Sequence, residues 1–164
     1  MPPVDFTVLD PRFAWMRDYL AGVAPPRLLP GRQHIDPLDF PTLLPFVNLV
    51  DVERESGRLR FRYRLVGTTN AARAGVDMTG HYIGEGVLPA FAARIGRNMQ
   101  ATVETRAPVH DRFPAPHPHR EFIISERVYF PLARDGALVD MLIAVFAYEG
   151  DGDTRVIVLP PLPR

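Results

Sequence analysis

The sequence predicts an α+β fold in which a five-stranded antiparallel sheet carries helices on one face, with an extra helix at the N-terminus. Segments follow one another in the order helix, connector, two strands, two helices and three strands, and do not alternate as in parallel α/β folds. Residues 60–65 also alternate between arginine and an apolar or aromatic residue, as in a strand with one solvent-exposed face and one buried face.

The composition predicts one cytoplasmic domain of ordinary size. The 164 residues are 46% hydrophobic, which is enough for one core. The 19 basic residues, all arginine, balance 19 acidic ones, so a general nucleic-acid binder is not expected. Without cysteine or lysine, the chain has no disulfide, thiol or Schiff-base chemistry. The N-terminal residues are not expected to be a signal peptide, and no span is expected, since no apolar run reaches about 18 residues.

The N-terminal helix is predicted over residues 10–21, with Asp10 as its N-cap and Pro11 in its first position. Gly22 marks its expected end. An apolar stripe follows a spacing of four, three and four residues. It consists of Leu9, Phe13, Met16 and Leu20. Two interpretations stay open: the stripe packs on the chain's own sheet, or it forms the contact between two copies in a homodimer.

Residues 23–41 are rich in proline and glycine, which predicts an irregular connector. Asp36 and Pro37 are expected to start a single helical turn, with Asp36 as its cap. Ile35, Leu38 and Phe40 are expected to anchor the connector to a core of residues 42–148.

A β-hairpin is predicted next. Residues 46–52 form a nearly continuous apolar run, residues 53–57 read as a turn, and the arginine-rich strand pairs back. The row of Arg60, Arg62 and Arg64 is expected to be a solvated face. Its acidic partners across the sheet would be Asp51, Glu53 or Glu126. The alternative is a contact with an anion or a partner protein.

Two helices should follow the hairpin. Thr68 or Thr69 can cap a short helix through Arg73, and Gly75 suits a left-handed exit. A long helix is predicted over residues 87–105, where Gly96 suggests close packing. Its apolar face comprises Leu88, Ala92, Ile95, Met99 and Thr102 or Val103.

Three strands should close the chain. A short one around Phe113 runs into a proline-rich loop, residues 121–132 alternate in a strand-like pattern, and a turn at 134–136 leads to a central strand over 137–148. Residues 149–164 are expected to be a tail, in which residues 155–159 form either an edge strand or no regular structure.

Residues 11–148 resemble a PAS domain, and the chain of residues 1–164 is expected to be a single PAS-like domain. The resemblance rests on the strand-to-helix passage at 63–68, the Met-Thr-Gly turn at 78–80, and the closing hairpin at 127–136. Residues 35–45 resemble more specifically a bacterial stand-alone PAS-like subfamily formerly catalogued as a domain of unknown function. The resemblance implies a sheet that cups a cavity against its helices, a role in sensing or protein interaction, frequent dimerisation and no intrinsic catalysis.

The resemblance does not identify a cofactor, which stays unknown. Flavin-binding relatives attach flavin through a cysteine, and haem-binding relatives use a histidine on the long helix; this chain has neither. His110, His117 and His119 surround a proline-rich loop and are read as a solvated segment, so no metal site is expected. His81 and Glu85 lack an orienting partner, and no serine lies in a G-x-S-x-G elbow, so no catalytic residue is assigned.

The candidate ligand-binding residues are of two kinds: side chains that offer polar groups or a sulfur atom to a ligand, and apolar side chains that line the cavity. The first group is Tyr63, Asn70, Met99, Ser125 and Tyr129, and the lining group is Phe46, Leu65, Ile95 and Ile143. We therefore expect a stand-alone sensory domain that binds a small apolar or mixed ligand and acts through a signalling partner. The alternative is an adaptor whose core is filled and which binds only protein. If the first helix forms the dimer contact, Phe13→Glu or Met16→Glu should yield a soluble monomer.

Overall fold

Five antiparallel strands form one sheet in the computed structural model, which describes residues 2–86, 89–114, 119, 121–150, 152 and 156–164. The strands are β1 Val47–Glu55, β2 Arg58–Val66, β3 Val109–Pro114, β4 Ile124–Leu132 and β5 Met141–Glu149, in the order β2-β1-β5-β4-β3. The helices are α1 Pro11–Val23, α2 Thr68–Ala74 and α3 Pro89–Thr105, and short 3₁₀ turns lie at Arg32–His34, Pro37–Asp39 and Leu44–Phe46. The predicted α+β fold is confirmed.

The two faces of the sheet carry different elements. We call the face covered by α1 and the connector the outer face, and the face covered by α2 and α3 the inner face. Side chains alternate along β5: Ile143 and Val145 join the outer core, whereas Leu142 and Ala144 join the inner core. The extra N-terminal helix and the other two helices therefore lie on opposite sides of one sheet.

Helix α1 begins as predicted. The Asp10 side chain accepts a hydrogen bond from the Arg12 backbone N–H at 3.0 Å, and Pro11 follows as the first helical residue. The helix continues past Gly22 to Val23. Its apolar stripe is buried against the outer face, which is the first of the two interpretations of that stripe.

The connector is held by buried anchors and by α1. Asp36 caps its turn by accepting from the Leu38 N–H at 2.9 Å, as predicted, and Ile35 and Phe40 are buried. The expectation that Leu38 is an anchor is wrong, since Leu38 is 83% exposed. The turn that Asp36 caps directs this side chain away from the core. The Tyr19 hydroxyl of α1 donates to Asp39 at 2.9 Å, which ties connector and helix together.

The first hairpin contains an irregularity that the alternating pattern does not reveal. Leu49 pairs with Leu65 but Val50 pairs with Tyr63, so Arg64 is an extra residue in β2. The bulge moves Leu65 to the outer face, where it is 43% exposed, while Tyr63 keeps its place on the inner face. The predicted strict alternation is therefore wrong at Leu65.

The arginine row pairs with acids of the neighbouring strand β1, as expected for a solvated face. Arg60 contacts Glu55 at 2.7 Å and Arg64 contacts Asp51 at 2.8 Å. Arg62 lies 3.6 Å from Asp51 and 3.5 Å from Glu53. Glu126, the other expected partner, instead contacts His110 at 2.9 Å.

The inner-face helices follow their predicted signals in part. The cap predicted at Thr68 or Thr69 is wrong, because α2 begins at Thr68 and its N-cap is Gly67, which supplies no side-chain hydrogen bond. Gly75 ends α2 with a left-handed φ of 77°. Ile95, Met99 and Thr102 are the buried side chains of α3. Val87 and Leu88, which were predicted to belong to this helix, lie outside the described residues.

The C-terminal part differs from the prediction in two places. Strand β5 begins at Met141, because residues 133–140 form a loop in which Asp135 accepts from the Ala137 and Leu138 N–H groups. Residues 156–164 contain no strand, so the edge-strand alternative is wrong for this described part of 155–159. The tail still packs on the outer face, where Trp15 Nε1 donates to the Pro160 carbonyl at 2.7 Å.

Within the described residues, no helix combines the length and the apolar character needed to cross a membrane.

Candidate functional site

A small cavity of about 80 Å³ lies between the inner face of the sheet, α2 and α3. By comparison with the volume that one water occupies, it holds about five to eight water-sized atoms. Its polar wall includes Asn48 of β1, Asn70 of α2, Ser125 and Arg127 of β4, and Tyr148 of β5. The combination of a few polar groups with an otherwise apolar lining is typical of a small-molecule site.

One side of the cavity is a continuous hydrogen-bond network. Asn48 Oδ1 accepts from the Gly67 N–H at 3.1 Å and from Asn70 Nδ2 at 2.8 Å. The Tyr148 hydroxyl donates to Asn70 Oδ1 at 2.9 Å. The network ties β1, the start of α2 and β5 together, so it orders this wall before any ligand arrives.

Arg127 of β4 is the unusual member of the polar wall. It is 4% exposed, and the rings of Phe113 on β3 and Phe146 on β5 flank its guanidinium carbon at 4.1 and 4.7 Å. Nη2 donates to Ser125 Oγ at 2.6 Å, whereas Nε has no hydrogen-bond partner. In the described part of the chain, no carboxylate forms an ion pair with it.

A buried charge without a counter-ion costs several kcal/mol of folding free energy unless other groups compensate for it. The two aromatic rings supply part of that compensation, since cation–π contacts contribute about 0.5–2 kcal/mol. The remaining cost makes Arg127 the group whose placement most needs a functional explanation.

The tyrosines around the cavity are neutral at pH 7. Burial raises the pKa of Tyr148 to about 12, and burial also raises the pKa of Tyr63 and Tyr129, an effect that the nearby Arg127 charge only partly offsets. Their hydroxyl groups can therefore act as hydrogen-bond donors. The Tyr129 hydroxyl has no partner in the described structure.

The structure brings four of the nine predicted ligand-binding residues together. Tyr63, Asn70, Ile95 and Ser125 line the cavity. Met99 and Tyr129 are buried in the same inner core but do not line the cavity.

The other three predicted lining residues lie elsewhere, which corrects their assignment. Ile143 occupies an outer-face position of β5, and the bulge places Leu65 on the same face. Phe46 packs beneath the Arg12 guanidinium of α1 at 4.7 Å. All three were chosen for apolar character, which does not reveal the face of the sheet to which a residue belongs.

Three important residues of the cavity were missed. Arg127 lies between Ser125 and Tyr129 with the same strand parity, so the period of two already placed it on their face. Asn48 interrupts an otherwise apolar stretch at the start of β1, which is an unusual place for an amide. Tyr148 gave no such signal, because aromatic residues are common in strands.

The predicted dimer residues are not a free surface. Phe13, Met16 and Leu20 are buried in the chain's own outer core, and Leu9 packs against that core half-buried. Phe13→Glu or Met16→Glu would place a charge in this core and would unfold the chain. We therefore expect unfolding and not a soluble monomer from these variants, while the homodimer stays a prediction.

The histidines make local contacts. His34 Nδ1 accepts from the Gly31 N–H at 2.9 Å, and His81 lies 3.1 Å from Glu85. The described residues contain no group of three or more metal-ligating side chains. His117 lies outside the described residues, so the histidine loop stays untested as a metal site.

A larger apolar groove lies on the outer face, between the connector and β1. Its volume is about 370 Å³, and its walls include Ile35, Phe40, Leu49, Leu65 and Ile143. Two of the misplaced lining residues, Leu65 and Ile143, therefore border a groove on the opposite side of the sheet from the polar cavity.

Comparison with known proteins identifies a family. The family model described as PAS domain matches residues 13–145, which include all five strands except the end of β5. A comparison with curated proteins finds no match.

Proposed function

The chain belongs to the PAS domain family, and from that premise we propose that it is a sensory domain whose inner cavity binds a small molecule. Domains of this family are sensory or interaction modules in general. The observation that carries the proposal is the polar wall of the inner cavity, where β1, α2, β4 and β5 all contribute hydrogen-bonding side chains around open space.

The cavity has a physical connection to the opposite face of the sheet. Phe146 borders the cavity, and its backbone carbonyl accepts a hydrogen bond from Arg12 of α1 at 2.9 Å. A ligand that shifts β5 would therefore change the support of α1. In this proposal, α1 and the connector carry the signal to a partner protein in the cytoplasm, and the sensor acts as a homodimer.

Native mass spectrometry of the purified protein is the first test. A mass excess that disappears on denaturation identifies a co-purified ligand. Thermal-shift and NMR titrations with a library of molecules of up to about eight non-hydrogen atoms, the size that the cavity admits, extend the test to weaker ligands.

A matched pair of variants locates the binding site. Ala74 of α2 lines the cavity, so Ala74→Leu should fill it and abolish binding. Ala72 lies on the same helix but is exposed, so Ala72→Leu should bind like the parent protein. Equal binding by both variants, or no binding of any small molecule, would contradict the proposed sensor.

The second candidate function is an adaptor that binds only protein. The outer groove favours it, because an open, mostly apolar groove of about 370 Å³ is larger than the inner cavity. Leu65→Asp and Leu38→Asp are a matched pair, since Leu65 borders the groove and Leu38 does not. If the chain is an adaptor, Leu65→Asp should weaken capture of the partner protein and Leu38→Asp should not. No small molecule should then bind in the inner cavity.

A further inference from the structure

From the surroundings of Arg127 we infer that the ligand of the inner cavity is a small monocarboxylate, held through its carboxylate by the Arg127 guanidinium. The inference rests on the proposed function, because it assigns a chemical class to the ligand of that same cavity. Its first observation is that the charge of Arg127 is buried.

Arg127 is the buried arginine of the described chain. The other arginines of the sheet with ion pairs, such as Arg64 and Arg112, are 56% and 47% exposed and contact acids at 2.8 and 2.6 Å. Arg127 is removed from water without such an acid in the described residues. A ligand that brings a negative charge would supply the missing counter-ion.

The geometry of Arg127 favours a flat anion. Aromatic rings of the two neighbouring strands flank the guanidinium, and they offer no acceptor for the N–H groups in its plane. Of these N–H groups, one on Nη2 donates to Ser125 Oγ, and the buried one on Nε has no partner. A planar fork of donors matches the two oxygens of a carboxylate in a bidentate arrangement.

The remaining lining sets the size and the tail of the ligand. Val66, Met78 and Ile95 contribute apolar surface, and the Asn70 amide is already engaged with Asn48 and Tyr148. A volume of about 80 Å³ accommodates a carboxylate with a short apolar chain. Acetate, propionate and butyrate, with four to six non-hydrogen atoms, cover this range.

Paired ligands that differ only in charge provide the test. Acetate, propionate and butyrate are titrated against acetamide, propionamide and butyramide by isothermal calorimetry, in a buffer without carboxylates. We expect at least one carboxylate to bind the parent protein, and its amide to bind at least about thirtyfold more weakly, as is usual when one charge of a buried pair is removed.

Three variants separate recognition from folding. Arg127→Met should lose carboxylate binding, Arg127→Lys should retain weak binding because it keeps the charge but not the fork, and Arg112→Met should bind like the parent. Arg112 is the matched control, since it is exposed and paired with Glu149. Without ligand, the melting temperature of Arg127→Met should equal or exceed that of the parent, because an apolar chain replaces a buried unpaired charge.

Each outcome bears on the inference. A neutral molecule that binds as tightly as its carboxylate overturns the carboxylate class but leaves the sensor proposal standing. A cavity that binds neither class, by calorimetry and by native mass spectrometry, overturns both. If Arg127→Met melts far below the parent or does not fold, the comparison of carboxylate with amide in the parent protein still decides the question.

Discussion

The two faces of the sheet use the same strands for different purposes. On the outer face, Trp15, Tyr19 and Phe40 form an aromatic cluster with ring centroids 5.2–5.9 Å apart, and the core around them is apolar and bordered by the open groove. On the inner face, the core surrounds a cavity with a polar wall. Arg127 Nε and Tyr129 OH, two of the buried polar atoms without a partner, lie on that inner side.

This difference teaches that one sheet can separate stability from recognition. Side chains of a strand alternate between faces, so β5 contributes Ile143 and Val145 to the outer core and Phe146 and Tyr148 to the cavity or its wall. An apolar outer core built on α1 can hold the fold while the inner face retains a polar-walled cavity and incompletely paired groups. The variants below test that division.

The largest effect is expected from a truncation in the outer core. Leu20 of α1 is 5% exposed, so Leu20→Ala should lower the free energy of unfolding by about 2–5 kcal/mol. Leu38→Ala is the matched control, because Leu38 is 83% exposed and should change stability by less than about 0.5 kcal/mol. Urea denaturation measures both. Equal losses would show that α1 does not contribute to the core as described.

Alkaline pH should destabilise the fold through buried tyrosines on both faces of the sheet. Burial raises the pKa of Tyr19, on the outer face, and of Tyr148, on the inner face, to about 12 each. Because these folded-state pKa values exceed the unfolded value near 10, the stability they contribute is complete below pH 10 and is lost as pH rises toward 12. Tyr148 should account for on the order of 2 kcal/mol of that loss, and Tyr19 for less.

Tyrosinate absorbance at 295 nm, recorded with urea denaturation at each pH, checks the alkaline prediction. The native protein should show little tyrosinate at pH 10.5, and its absorbance should rise together with unfolding. Tyr148→Phe is expected to reduce the pH dependence. Reversible ionisation of Tyr19 and Tyr148 near pH 10 in the folded protein would contradict their burial.

Substitutions in the hydrogen-bond network of the inner face should have the next largest effect on stability. Asn48→Ala leaves the Gly67 N–H and the Asn70 amide without their shared acceptor, so it should cost about 1–3 kcal/mol. Asn98→Ala also removes an amide, but Asn98 is half-buried and Arg94 still contacts its partner Asp111, so a smaller loss is expected. Urea denaturation of the two variants compares them, and an equal or larger loss at Asn98 would rule out a structural role for the network.

The smallest expected effect is a gain in stability from a substitution in α3, the helix that covers the cavity. A Cβ at Gly96 of α3 would meet only Ile83 Cγ2 at 3.9 Å, an ordinary contact, so the close packing suggested by the sequence is wrong. Gly96→Ala should therefore stabilise the protein by about 0.5–1 kcal/mol. A Cβ at Gly67 would collide with the Pro45 carbonyl, so Gly67→Ala should destabilise it. Thermal melts of both variants provide the measurement; a loss at Gly96 would mean that α3 packs more tightly than this.

Sequence patterns predicted the elements better than they predicted the site. Asp10 and Asp36 cap their turns as expected, and Ser125, Arg127 and Tyr129 share one face as their spacing requires. These features depend on neighbouring residues, so local rules capture them. The cavity was only half predicted, because its walls come from six helices and strands that span residues 48–148 of the chain.

The sequence by itself determined the order of helices and strands, the caps at Asp10 and Asp36, the antiparallel hairpins and the resemblance to the PAS family, since each follows from periodicity and turn chemistry over a few residues. Only the tertiary structure decided that the stripe on α1 packs in its own core, that a bulge moves Leu65 to the outer face, and that Arg127 is buried between Phe113 and Phe146. Those outcomes depend on strand register and on contacts between distant segments, which no local pattern specifies.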